Sequence, residues 1–139
     1  MNILIINGPN LNLLGKRNPE IYGEKDFEGI LKGIREEFSA HQIDYYQSNV
    51  EGEIMNELQK ADGEYHAIVL NAGGYTHTSI AIGDTVEAID IPVIEVHISN
   101  IYAREDFRHQ SYISRHAKGV IAGLGPDVYR LAILSLIKN

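Results

Sequence analysis

Ile3, Leu4, Ile5 and Ile6 form a short unbroken apolar run that stops at Asn7-Gly8-Pro9-Asn10. A run of this length, bounded by turn residues, fits a strand buried on both faces, as strands are in a parallel sheet. Runs of the same kind recur at residues 43–47, 67–70, 93–98 and 119–122. Between them the apolar spacing changes to that of a helix. Phe27, Ile30, Leu31, Ile34 and Phe38 share one helical face, and Asp26 just ahead of them suits an N-cap. Ile54, Leu58 and Ala61 make a second stripe, and Ile82, Val86 and Ile89 a third. Val128, Leu131, Ala132 and Leu136 make a fourth, after Pro126-Asp127, which favour a helix start.

Strand and helix alternating along the whole chain predict a doubly wound α/β domain. For 139 residues the expected form is a flavodoxin-like sandwich around a five-stranded parallel sheet of order 2-1-3-4-5. No linker, repeat or low-complexity tract divides the chain, so residues 1–139 are read as one domain. The last helix is also apolar off its stripe, at Ile133, Leu134 and Ile137. It is covered either by its own domain or by a second subunit.

Composition narrows the function. Acids number 19 and bases 12, for a net charge of −7, which disfavours nucleic acid and anionic membranes as partners. With no cysteine, thiolate catalysis, disulfides and cysteine-held metal are excluded. His41, His66, His109 and His116 have no metal-site spacing, so no metal is expected. The first residues carry neither a basic segment nor a long apolar stretch, and the expectation is a soluble, cytoplasmic protein.

In a doubly wound sheet ligands sit beyond the carboxyl ends of the strands, so polar residues there are the candidates. Along Val93–Asn100, alternation puts Ile94, Val96 and Ile98 on one face and Glu95, His97 and Ser99 on the other. An acid and an imidazole two apart in a central strand must be paired if buried. They are either a general acid with its orienting carboxylate or a structural pair closing the sheet end. After the first strand, Asn10 either caps a turn or points an amide into the crevice. Arg17 and Tyr22 lie in a polar segment with Pro19 and Gly23. They are either surface residues or an arginine-activated tyrosinate base in a lid. After the third strand, Asn71 and His77 are candidates to grip hydroxyls, while Thr76 or Ser79 caps the next helix. Arg104 and Arg108 are at helical i, i+4 spacing; Arg104 is read as solvated or in a structural ion pair. Gly123-Leu124-Gly125 lacks the third glycine of a dinucleotide fingerprint and is read as a turn.

Taken together, GPNLNLLGKRNPEIYG (8–23), QSNVEGE (47–53), NAGGYTHTSIAIGD (71–84), IEVHISNIYAREDFRHQSYIS (94–114) and GVIAGLG (119–125) resemble type II 3-dehydroquinate dehydratase along essentially the whole chain. Departures are few. The family has Glu at the position of Asn18, and often His at those of Val50 and Gln110. The resemblance implies anti elimination of water from 3-dehydroquinate, giving 3-dehydroshikimate through an enolate, in aromatic biosynthesis or quinate breakdown. It implies no Schiff base, metal or cofactor. By that analogy Tyr22 is the base and Arg17 its activator, and Asn10 positions a water at the enolate oxygen. His97, supported by Glu95, protonates the leaving hydroxyl. Asn71, His77 and Arg108 hold substrate hydroxyls, and the carboxylate rests on Ile98 and Ser99. Asp84, off the apolar stripe of its helix, would reach a neighbouring subunit's site in a homododecamer built from trimers. Two other classes have weaker support. A flavin carrier would need a Ser/Thr-rich phosphate loop where Pro-Asn-Leu-Asn stands. A receiver module would need an aspartate at the position of Asn71.

Overall fold

The computed structural model describes residues 1–16 and 26–138. Five strands, β1 (Asn2–Asn7), β2 (Gln42–Gln47), β3 (Ala67–Asn71), β4 (Val93–His97) and β5 (Gly119–Ala122), form one sheet. Its order is β2-β1-β3-β4-β5 and every pairing is parallel, as expected. Four α-helices are present among the described residues: α1 (Phe27–Glu37), α2 (Glu51–Ala61), α3 (Ile80–Ala88) and α4 (Asp127–Ile137). None of these helices is long and apolar enough to cross a membrane.

Strand alternation divides the core. Ile3 and Ile5 of β1, with Val69, Ile94 and Val96, pack under α1 and α4. Leu4 and Ile6, with Ile68, Leu70 and Val93, pack under α2 and α3. Each such side chain removed from water contributes about 1.5–3 kcal/mol, so a four-residue apolar run is a strong local anchor. Asp26 caps α1 by accepting from the Gly29 N–H at 3.0 Å. Ser79 caps α3 by accepting from the Ile82 N–H at 2.9 Å. Thr76 does not share that role and is buried.

The structure departs from the expected pattern in two places. Between β4 and β5 there is no α-helix. Residues 98–118 instead hold two 3-10 turns, Ile101–Ala103 and Asp106–His109, followed by an ordered strap. This stretch lacks an apolar stripe of period 3.6, so an α-helix there would have no face to bury. Arg104 and Arg108 are therefore not neighbours on one helix. In α4 the buried face is Val128, Tyr129, Ala132, Ile133 and Leu136, and Leu131 is only partly buried. Leu134 and Ile137 pack against the core of the same chain and are partly buried by it.

The strap at residues 110–117 packs on α3 through a very close approach. A Cβ added to Gly83 would sit 2.3 Å from the Tyr112 carbonyl oxygen. Ile113 is buried in the core beneath α2 and α3. Gly83→Ala must push strap and helix apart; we expect a loss of about 1–3 kcal/mol, read by urea unfolding.

Candidate active site

Parallel register brings the carboxyl ends of three strands level. Asn7 pairs with Asn71 across β1 and β3, and Leu70 with Glu95 across β3 and β4. The order reverses at β1, which is where open α/β sheets leave a crevice. A pocket opens there, lined by Asn10 from the turn after β1, Asn71 at the end of β3, His77, His97 at the end of β4, then Ile98, Ser99, Arg104 and Arg108. Seven of the expected site residues thus meet in one place. Glu95 is directly behind His97, fully buried. Asp84 is elsewhere, exposed on α3 in a depression shared with Met55 and Asp62. Arg17, Asn18 and Tyr22 lie outside the described residues.

The acid–imidazole pair is real. His97 Nε2 is 2.5 Å from Glu95 Oε2. The carboxylate also accepts from Ser114 Oγ at 2.7 Å and from Ser111 Oγ at 3.1 Å. Burial alone would push the Glu95 carboxyl up. The hydrogen bond and charge of His97, with the two serine hydroxyls, outweigh it and hold the group below its ordinary value. His77 Nδ1 is 2.8 Å from the Gln110 carbonyl, and its ring lies 6.2 Å from that of His97. Desolvation pulls the His77 imidazole down, aided by the nearby His97 and Arg108 charges. That favours a neutral ring able to hydrogen-bond a hydroxyl.

Asn10 adopts left-handed backbone, φ 69°, which asparagine tolerates better than most residues. Its side chain makes no capping bond to the 3-10 turn that follows, so capping does not account for it. Its N–H donates to Asn49 Oδ1 at 3.0 Å; Gln47 Nε2 donates to the same oxygen and to the Gly8 carbonyl. Asn71 is held at both ends of its amide. Oδ1 accepts from the Gly73 N–H at 3.1 Å, and Nδ2 donates to the Tyr129 hydroxyl at 2.9 Å. That hydroxyl in turn donates to Asn7 Oδ1 at 2.7 Å. Arg104 donates to Ser99 Oγ at 3.1 Å and lies 3.8 Å from Glu105, so it joins an ion pair and the pocket wall together.

The whole chain carries the same signature. The family model described as Dehydroquinase class II matches residues 1–137. The chain belongs to the class II dehydroquinase family. It is 46% identical over 140 residues to the 3-dehydroquinate dehydratase of Prochlorococcus marinus, covering 99% of this chain and 96% of that protein. It is 50% identical over 137 residues to the enzyme of the same name from Rhizobium johnstonii, covering 96% and 94%. The crystal structure of a type II dehydroquinase from Butyrivibrio crossotus superposes with a TM-score of 0.95 at 43% identity, covering 99% and 97%.

Within this class II dehydroquinase, two residues that depart from the family pattern bear little on the pocket. Gln110 meets His77 through its backbone carbonyl, which any residue supplies. Val50 is exposed at the start of α2, away from the pocket wall. The residues missed in the sequence are the supports: Asn7 and Tyr129 behind Asn71, Gln47 and Asn49 behind Asn10, Ser111 and Ser114 behind Glu95. Arg104 was also missed as pocket wall. Polar residues inside apolar stretches, Asn7 and Tyr129 above all, were the available signal.

Tyr129→Phe keeps the ring in the core but leaves Asn7 and Asn71 each one partner short. We expect a loss of about 1–3 kcal/mol in denaturant unfolding and a higher KM. Glu95 binds its proton less readily folded than unfolded. The stability this gives is present above about pH 4.3 and is lost as pH falls through the lower folded value. Glu95→Gln should flatten the stability-versus-pH curve across that acid window, measured by urea unfolding at stepped pH.

Proposed function

We propose that this chain dehydrates 3-dehydroquinate to 3-dehydroshikimate by anti elimination through an enolate. The observation that carries the reading is the buried Glu95–His97 pair beside a pocket whose wall includes the hydrogen-bonding groups of Asn10, Asn71, His77 and Ser99 and the cations Arg104 and Arg108. The relatives' shared name, 3-dehydroquinate dehydratase, points to the same reaction.

The chemistry has three demands: a proton beside a ketone must leave, the enolate must be stabilised, and the departing hydroxyl must be protonated so that it leaves as water. His97 fits the last role. With Nε2 turned to the carboxylate, Nδ1 is the nitrogen that gives the proton, and Glu95, accepting only, fixes the ring. Asn71, His77 and Arg108 fit hydroxyl recognition. The Ser99 hydroxyl, with backbone N–H groups at Ile98 and Ser99, fits the carboxylate. Asn10 fits the positioning of a water at the enolate oxygen. Tyr22, made a phenolate by Arg17, is the proposed base. The substrate is an anion and the pocket wall carries two guanidinium groups, so charge favours entry. Every role is filled by a protein group, without a cofactor. We further propose that the enzyme works in the cytoplasm as a homododecamer of trimers, with Asp84 of one subunit at the site of the next. Asp84 is exposed and outside its own chain's pocket, as that role requires.

An ultraviolet assay for the conjugated enone product, without added metal or cofactor, tests the reaction. The parent protein should turn over. Tyr22→Phe should lose nearly all kcat yet bind substrate, and His97→Ala should lower kcat far more than it raises KM. Wild-type-like turnover by Tyr22→Phe would remove the tyrosine from the base role, and a pure KM effect in His97→Ala would remove the histidine from the acid role.

A further inference from the structure

Glu95 is fully buried in β4, yet its two oxygens receive hydrogen bonds from three side chains. Only one of the three, His97, belongs to the pocket wall. The other two, Ser111 and Ser114, come from the strap at residues 110–117. We propose that Ser111 and Ser114 are positioning residues that set both the orientation of His97 and the pH at which it gives up its proton, acting through the Glu95 carboxylate. This deepens the dehydratase reading above and rests on it for the role of His97.

The geometry distinguishes the two serines. Ser111 Oγ donates to Glu95 and also accepts from the N–H groups of Ile113 and Ser114 at 3.0 and 3.1 Å. It therefore shapes the turn as well as the carboxylate. Ser114 Oγ donates to Glu95 Oε1 at 2.7 Å, the shorter of the two serine contacts, and takes no such part in the turn. The strap that carries both is fixed independently. Tyr112 N–H donates to the Thr76 carbonyl at 3.0 Å, and the Tyr112 carbonyl lies against Gly83. The same strap holds His77 through the Gln110 carbonyl. One segment, which touches the pocket with none of its own side chains, thus steadies two site imidazoles.

The physical consequence has a definite sign. A buried carboxylate stripped of a donor is a stronger base, because less of its charge is shared. With Ser114 gone, Ser111 and the His97 ring remain on the carboxylate, and the ring, the only one of the two that carries a titrating proton, then holds it more tightly and gives it up less readily. The other charged or titratable groups facing the pair are His77 from the turn after β3 and Arg104 and Arg108 from the turns after β4. All three are unchanged by a serine substitution, so a shift in His97 reports the carboxylate.

The test is Ser114→Ala in the full-length protein, with Ser114→Thr as the conservative control and Ser114→Cys as a second variant should alanine fail to fold. Nitrogen-15 NMR of the histidine rings, with His97 assigned by a His97→Asn variant, follows the ring in ligand-free protein. We expect its titration to move up by about one pH unit in Ser114→Ala. Turnover should fall about tenfold with KM changed less than about twofold, the alkaline limb of kcat moving with the ring. Ser114→Thr should keep the parent values. An unmoved His97 titration overturns the proposal, whether kcat is retained or is lost together with KM. Failure of the parent protein to turn over 3-dehydroquinate would sink the dehydratase reading instead, and the ring titration would still decide the serine clamp.

Discussion

A sheet covered on both faces tolerates polar side chains only where something answers them, and this constraint organises the molecule. Four polar residues stand in the strands and are nevertheless buried: Asn7, Asn71 and His97 at carboxyl ends, and Glu95 two residues before His97. Asn7 and Asn71 share the parity of the strand residues under α1 and α4, and it is α4 that supplies Tyr129 to them. Glu95 and His97 share the opposite parity, and there the strap supplies Ser111 and Ser114. Each face of the sheet thus has its own polar network, and the pocket draws one wall from each.

On the proposed reading, the arrangement separates recognition from proton transfer. Asn71 has both ends of its amide fixed, which leaves a defined hydrogen-bonding edge toward the pocket and little freedom to reorganise. His97 is fixed through a carboxylate instead, so its orientation and its charge are set together. The net charge of −7 is no guide to this pocket: Arg104, Arg108 and two imidazoles line it, while most of the described acids are exposed elsewhere on the surface. The overall acidic balance was informative only about large partners.

What the sequence revealed, and what it hid, follows from the range of the forces involved. The five strands, the four helices and the caps at Asp26 and Ser79 are local: they depend on period, turn residues and a side chain reaching three residues ahead. The alternation in β4 is enough to put Glu95 and His97 on one face. The stretch between β4 and β5 did not read as two 3-10 turns and a strap, because its structure comes from distant groups: Thr76, Gly83 and Glu95. Tyr129 likewise stood off the assumed stripe of α4, and only the spatial meeting of β1 with β3 explains a buried phenol there. Serines at 111 and 114 are ordinary turn residues until a buried carboxylate is placed against them.

In the proposed reaction that carboxylate also bears on which member of the pair moves a proton. Burial would ordinarily raise Glu95 toward the neutral acid, the state able to donate. Three side-chain donors oppose this, and all of them need an acceptor: His97 through Nε2, and the two serine hydroxyls. Their hydrogen bonds and the charge of His97 together outweigh the burial. The ionised form is therefore the one that fits, and an ionised carboxylate has no proton to give. Of the two members of the pair, the imidazole is left as the candidate proton donor. In the proposed reaction the Glu95–His97 pair then works in one direction, from the strap through the sheet to the ring, and proton donation falls to the ring nitrogen turned away from the carboxylate.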